Sequence, residues 1–252
     1  MAGHSKWANI KHKKSLVDAK KGKVFSKIAR DITVCAKHGG GDPESNVTLR
    51  TLLAKARAAN MPSDNIERAV KKGAGGLDDG IVLEDVTYEG YAPGGVMIVV
   101  QAMTENRNRT AGEVRSVFTK AGANLATANA VLRSFHRKGL ITVPASSTTE
   151  DALMDIVLGA GAEDMTLEGD VFEIKTSPAD FGAVVNALRA ANLATASADI
   201  TMIPELLTLI TDKAQAESLM EFVENLEDLD DVQNVYTNMD MDESVLAALN
   251  AG

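Results

Sequence analysis

Apolar residues recur at spacings of three and four through Phe25, Ile28, Ile32 and Cys35. Such a stripe predicts a helix from Val24 to about Lys37. At about 100° per residue, Lys23, Lys27, Arg30 and Lys37 fall on its opposite face. The run Gly39-Gly40-Gly41-Asp42-Pro43 ends it, because glycine accepts a left-handed cap and proline cannot continue the hydrogen-bond ladder. A second helix carries Leu49, Leu52, Leu53 and Ala56 inward and stops near Asn60-Met61-Pro62. Ser63 or Asp64 is positioned to cap a third, which packs Ile66 and Val70 before Gly73. The first part of the chain therefore reads as a small helical bundle.

Beyond Gly73-Ala74-Gly75-Gly76 the pattern changes to β-branched runs, with strands expected over Val82–Tyr88 and Val96–Met103. Tyr88 through Gly95 is expected to connect them as a hairpin. Thr110 and Glu113 have capping-box spacing ahead of Val114, Val117 and Phe118, which predicts a helix starting there. The following runs are Leu140–Pro144, a helix around Ala152–Leu158, Met165–Leu167, Val171–Lys175, a helix around Phe181–Ala190, and Ala198–Ile203. Their order is βαββαβ, that of the ferredoxin-like fold. The remainder offers a short strand at Leu206–Ile210, an amphipathic helix with Leu219, Phe222, Val223, Leu226 and Leu229 inward, and a strand at Val232–Tyr236. This tail lacks partners nearby in sequence, so it is expected to pair with residues 80–133. The chain is thus expected to be multidomain α+β: an N-terminal helical bundle followed by two α+β domains, at least one ferredoxin-like. The boundaries are a basic helical domain over 1–78, a discontinuous domain over 79–133 plus 205–252, and an inserted domain over 134–204.

Charge changes this picture most. The net charge is -9 over 252 residues, yet residues 1–72 hold 16 Lys/Arg against 6 Asp/Glu, a net of +10. Residues 139–252 hold 3 against 22, a net of -19, and residues 73–138 balance at 7 against 7. The basic end is the one that would meet a polyanion. One cysteine, Cys35, allows no internal disulfide and no cysteine-based zinc cluster. No apolar run has the length of a membrane span, and the N-terminus lacks the apolar stretch of a secretory signal. A cytoplasmic protein with no membrane partner is expected.

The opening Met1-Ala2-Gly3-His4-Ser5-Lys6-Trp7-Ala8-Asn9-Ile10, with Asp18 through Phe25, closely resembles the start of the YebC family. Gly39–Pro43, Tyr88–Gly95, Asn106–Thr110 through Arg115, and Asp228–Tyr236 also resemble that family's motifs. The resemblance spans nearly the whole chain. It implies three domains, the first helical and the others α+β, and it implies no known catalysis. Family members are described as probable transcriptional regulators that bind DNA, and relatives include ribosome-associated translation factors, among them a mitochondrial translational activator. At Ala128-Asn129-Ala130-Val131 this chain departs from the Gly-Ser pair usual in the family.

The candidate nucleic-acid-binding residues are Lys6, Lys11, Lys13, Lys14, Lys20, Lys21, Lys23, Lys27 and Arg30, opposed only by Asp18 within the first thirty residues. Unpaired cations at such density bind polyphosphate because each neutralised phosphate releases counterions. Trp7 inside the cluster either stacks on a base or fills a core. Arg107 and Arg109 complete the set: they can hold a phosphate beside the expected helix start, or pair with Glu105 or Glu113. Gly90, Gly94 and Gly95 precede a strand with no Gly-Lys-Ser/Thr, which indicates a turn and no phosphate loop. The acids Glu227, Asp228, Asp230, Asp231, Asp240, Asp242 and Glu243 lack calcium-loop spacing and are expected to form a solvated acidic surface. The four histidines have no metal spacing and no nucleophile signature appears, so neither metal, cofactor nor enzymatic activity is expected. The functional expectation is a regulator of gene expression that binds nucleic acid. DNA as the target of a transcriptional regulator, ribosomal RNA as the target of a translation factor on the ribosome, and a module that meets an acidic protein all remain open. Residues 1–72 should carry most of the polyanion affinity, and binding of this N-terminal piece alone should fall steeply as salt rises; equal binding by a chain lacking residues 1–72 would contradict this reading of the charge.

Overall fold

The computed structural model describes residues 21–75 and 84–250. Three helices open it: α1 (Lys21–Gly39), α2 (Val47–Ala58) and α3 (Ser63–Gly73). The predicted stripes become their core, with Ile28, Ile32, Leu49, Leu53, Ala56, Met61, Ile66 and Ala69 buried. Phe25 is only half-buried. Asn46 locks the first corner. Its side-chain oxygen accepts the Leu49 N–H at 3.0 Å and its amide donates to the carbonyls of Cys35 and Gly40 at 3.2 and 3.0 Å. One residue thereby caps the start of α2 and satisfies carbonyls at the end of α1, both of which a helix leaves orphaned. α3 begins after Pro62 with no side-chain cap, so neither Ser63 nor Asp64 takes that role. Gly73 lets α3 approach α1 closely: a Cβ there would lie 2.1 Å from the Thr33 carbonyl oxygen.

The next sheet has the order β3-β1-β2-β9, all neighbours antiparallel. It is built from β1 (Glu84–Ala92), β2 (Val96–Thr104), β3 (Asn124–Leu125) and β9 (Val232–Thr237). β1 runs through Tyr88, Gly90 and Tyr91, so the hairpin turn is confined to Pro93-Gly94-Gly95, where both glycines have positive φ. One sheet face packs on α4 (Arg107–Lys120) and α7 (Lys213–Glu227) through Ile98, Val100, Val114, Phe118, Phe222 and Leu226. Phe118 and Phe222 meet edge to face with centroids 5.0 Å apart. The other face is covered as well. Val99 packs with Val131, Phe135 and Met202, which explains why Val96–Val100 of β2 is an unbroken apolar run in place of an alternating one.

Between β3 and β9 in sequence lies the second sheet: β4 (Phe135–Pro144), α5 (Glu150–Gly159), β5 (Ala162–Glu168), β6 (Val171–Thr176), α6 (Phe181–Ala190) and β7 (Ser197–Pro204). Its antiparallel order β5-β6-β4-β7 is the ferredoxin-like arrangement. Ile141, Val143, Phe172 and Ile174 pack on α5 and α6 through Leu153, Val157, Val184 and Leu188. The chain is α+β with a helical first part and two α+β sheets. Two late elements that the hydrophobic pattern does not predict are β10 (Met239–Met241), parallel to β8 (Thr208–Ile210), and α8 (Glu243–Asn250).

Candidate functional site

Lys6, Lys11, Lys13, Lys14 and Lys20, with Trp7, lie outside the described residues, and Lys21 and Lys23 are placed only as the first turn of α1. The remaining four candidates converge on one rim of the middle sheet. This rim is formed by the end of β2, the start of α4 and the loop between α7 and β9.

At its centre is Asp231, 2% exposed. A buried carboxylate is costly unless every lone pair finds a donor. Oδ2 lies 2.9 Å from the Thr104 hydroxyl, 2.8 Å from the Thr110 hydroxyl and 2.8 Å from a guanidinium nitrogen of Arg109. Oδ1 accepts from Arg30 of α1 at 3.2 Å. Burial alone would push this carboxyl up, but the hydrogen bonds from Arg109, Thr110 and Thr104 outweigh it and hold the group below the usual carboxylate range. The same nitrogen of Arg30 also reaches the carbonyls of Asp230 at 2.8 Å and Met103 at 3.3 Å. Lys27, one turn earlier, donates to the carbonyl of Glu227 at the C-terminus of α7, the end of a helix that favours a cation. The face of α1 opposite its apolar stripe is thus turned onto the middle sheet's rim.

Three sequence expectations change here. α4 starts at Arg107, and its cap is Asn106, whose side chain accepts the Arg109 N–H at 3.1 Å. Thr110 is drawn inside to Asp231 and Thr104, so it caps nothing. Arg107 and Arg109 accordingly sit within the first turn. Arg109 pairs with Asp231 and stands 3.7 Å from Glu105, whereas Arg107 pairs with Glu84 at 3.6 Å and is 65% exposed. Asp231 is a buried hub and not part of a solvated acidic surface. The signal available in sequence was the pairing of two nearby threonines and two arginines with an acid before a strand, which spacing alone does not join.

A second buried carboxylate orders the segment that departs from the family pattern. Glu89 on β1 accepts the backbone N–H groups of Asn129, Val131 and Leu132 at 2.6, 2.8 and 2.7 Å. Burial raises its pKa, and these three donors more than reverse that. Asn129 adopts the left-handed backbone, φ 64°, which asparagine tolerates better than most residues.

Asp31 on α1 is titratable in the mildly acidic range. Burial pushes its carboxyl up to about 6, with Lys55 and Lys27 lowering it and Asp199 raising it. Tyr236 is pushed well above its ordinary value, chiefly by burial and secondly by the charge of Asp31. α2 adds a further junction contact, Arg50 to Asn186 on α6 at 2.6 Å. The exposed cations of the helical part are then Lys37, Lys55, Arg57, Arg68 and Lys71 among the described residues. No group of His, Cys, Asp and Glu suited to a metal ion occurs among the described residues, and no helix there is long and apolar enough to cross a membrane.

Residues 5–76 match the TACO1/YebC protein N-terminal domain, and residues 83–239 match the TACO1/YebC second and third domain. A probable transcriptional regulatory protein of Desulforapulum autotrophicum is 50% identical over 249 residues, covering 99% of this chain and 100% of that one. Another of that name from Syntrophotalea carbinolica is 51% identical over 249 residues, covering 99% of each. The crystal structure of a conserved hypothetical protein from Aquifex aeolicus is similar at a TM-score of 0.78 and 45% identity, over 90% of this chain and 93% of that one.

Because the folded pKa of Asp31 is raised, its carboxylate opposes folding once ionised. Stability should fall as pH rises from about 4 to 6 and then level off. In urea titrations, Asp31→Asn should lack this component, gaining on the wild type by on the order of 2–3 kcal/mol across that window. Parallel pH profiles for the two proteins would contradict the burial of this charge.

Proposed function

The chain belongs to the TACO1/YebC family, and from that premise we propose that it is a non-enzymatic, cytoplasmic regulator of gene expression that grips a nucleic-acid backbone with its helical domain. The observation that carries this reading is the segregation of charge, +10 in residues 1–72 against -19 in residues 139–252. A polyanion is attracted to one end and repelled from the other. Lys27 and Arg30 spend their charge on the rim of the middle sheet, so the lysines of the first twenty residues and the exposed Arg57, Arg68 and Lys71 are the groups assigned to the backbone. Arg107, exposed and paired with Glu84, adds a second point of contact.

The names of the relatives favour a role in transcription, for which duplex DNA would be the target. One observation favours ribosomal RNA on the ribosome instead. α2 and α3 are joined by a short turn, as in a helix-turn-helix, but α3 presents Asp64 and Glu67 outward beside Arg68 and Lys71. Mixed signs there suit backbone contact better than base reading in a major groove. The ferredoxin-like sheet is not the RNA platform in either case. By strand alternation its face away from the helices carries His136, Lys138, Leu140 and Thr142 on β4 and Val171, Glu173 and Lys175 on β6; the one ring in this set, His136, is engaged with Glu205 at 2.6 Å, and no Phe, Tyr or Trp stands beside it.

The test titrates the wild type, a variant with Lys6, Lys11, Lys13, Lys14 and Lys20 changed to Gln, and Arg107→Gln against duplex DNA, ribosomal RNA and ribosomes at two salt concentrations. The lysine variant should lose roughly 10-fold or more in affinity and part of the salt slope, which scales as about 0.9 per phosphate neutralised on duplex DNA. Arg107→Gln should lose less while remaining as stable as the wild type. Wild-type affinity in the lysine variant for all three targets would overturn the proposal.

A further inference from the structure

We propose that the helical domain is a reversible latch, closed on the middle domain by Arg30 and Lys27 and opened when a nucleic-acid backbone competes for these cations. The competition rests on the nucleic-acid reading above; the latch itself rests on geometry. Asp231 divides its two oxygens. Oδ2 serves donors of the middle domain alone, Thr104, Thr110 and Arg109, whereas the donor on Oδ1 is Arg30 of α1. Undocking α1 therefore leaves the buried carboxylate with its in-domain donors, and the middle sheet has no need to unfold.

The other acceptors on the α1 side are backbone carbonyls, of Met103, Asp230 and Glu227. Water can replace a cation at such sites at small cost, since a carbonyl has two lone pairs, and Glu227 ends α7 while the exposed Asp230 lies in the loop after it. Arg30 is itself 28% exposed and within reach of solvent. A phosphate offers it a full negative charge and bidentate geometry, which a shared carboxylate oxygen and two carbonyls do not.

A pair of cations that hold, against a carboxylate and carbonyls that keep other partners once the cations leave, makes a two-state element which a modest ligand can shift.

The test places donor and acceptor dyes on the full-length protein, at Ala58→Cys on α2 and Ala214→Cys on α7, both exposed, with Cys35→Ser to remove the native thiol. Single-molecule energy transfer should report one short distance. Arg30→Gln should populate a longer one without any ligand, and poly(U) should do the same to the unmutated latch with a midpoint that rises with salt. A single short distance in Arg30→Gln overturns the latch. Poly(U) that binds, by anisotropy, with the short distance unchanged overturns the competition and leaves the nucleic-acid reading standing. Poly(U) that fails to bind overturns the competition and counts against that reading, while the Arg30→Gln distance still decides the latch.

Discussion

A carboxylate that is 2% exposed has to be met by donors from every direction, and at Asp231 those donors come from two parts of the molecule. Within the middle sheet, Thr104 ends β2, Thr110 lies in the first turns of α4, and Arg109 rises beside it. The backbone joins in, since the Asp231 carbonyl accepts the Met103 N–H at 2.8 Å. That single residue therefore ties the return of the chain, just ahead of β9, to the strand and helix laid down more than a hundred residues before. Arg30 then extends the network to α1 and fixes where the helical domain sits.

This arrangement redistributes the charge that dominates the sequence. Basic and acidic residues are segregated along the chain, but folding brings part of each together: Lys27 and Arg30 face the acidic segment 227–231, and Arg50 reaches α6. A partner polyanion consequently meets the cations that these contacts leave over. Internal electrostatics also explains why a lysine-rich helix can lie against the most acidic part of the protein without a continuous apolar interface there.

Periodicity made the helical bundle and the ferredoxin-like order legible, because each depends on local stripes: Ile28 and Ile32 in α1, or Val171–Lys175 against Phe181–Ala190. The regulatory family was legible in long motifs. What spacing did not reveal was long-range pairing. The cap of α4 went to Thr110 in the sequence reading because Thr110 and Glu113 fit a local rule, whereas the fold needs that hydroxyl for an acid 121 residues away. Asn106, equally good as a cap, took its place. Asp231 was misplaced among solvated acids for the same reason, since charge counting has no way to distinguish a buried anion from its exposed neighbours. Arg30 was read correctly as lying opposite the apolar stripe, but a polar helix face can dock on a partner domain as readily as on solvent. β10 and α8 were missed because Met239–Met241 is too short to carry a pattern.

The central claim is that Arg30 and Asp231 form one interaction joining two domains. A double-mutant cycle in urea unfolding, using Arg30→Gln, Asp231→Asn and the pair, measures it directly. A coupling of about 1–3 kcal/mol is expected for residues that share a buried hydrogen-bonded network. Additivity within about 0.3–0.5 kcal/mol would show that the two side chains act independently and would contradict the account.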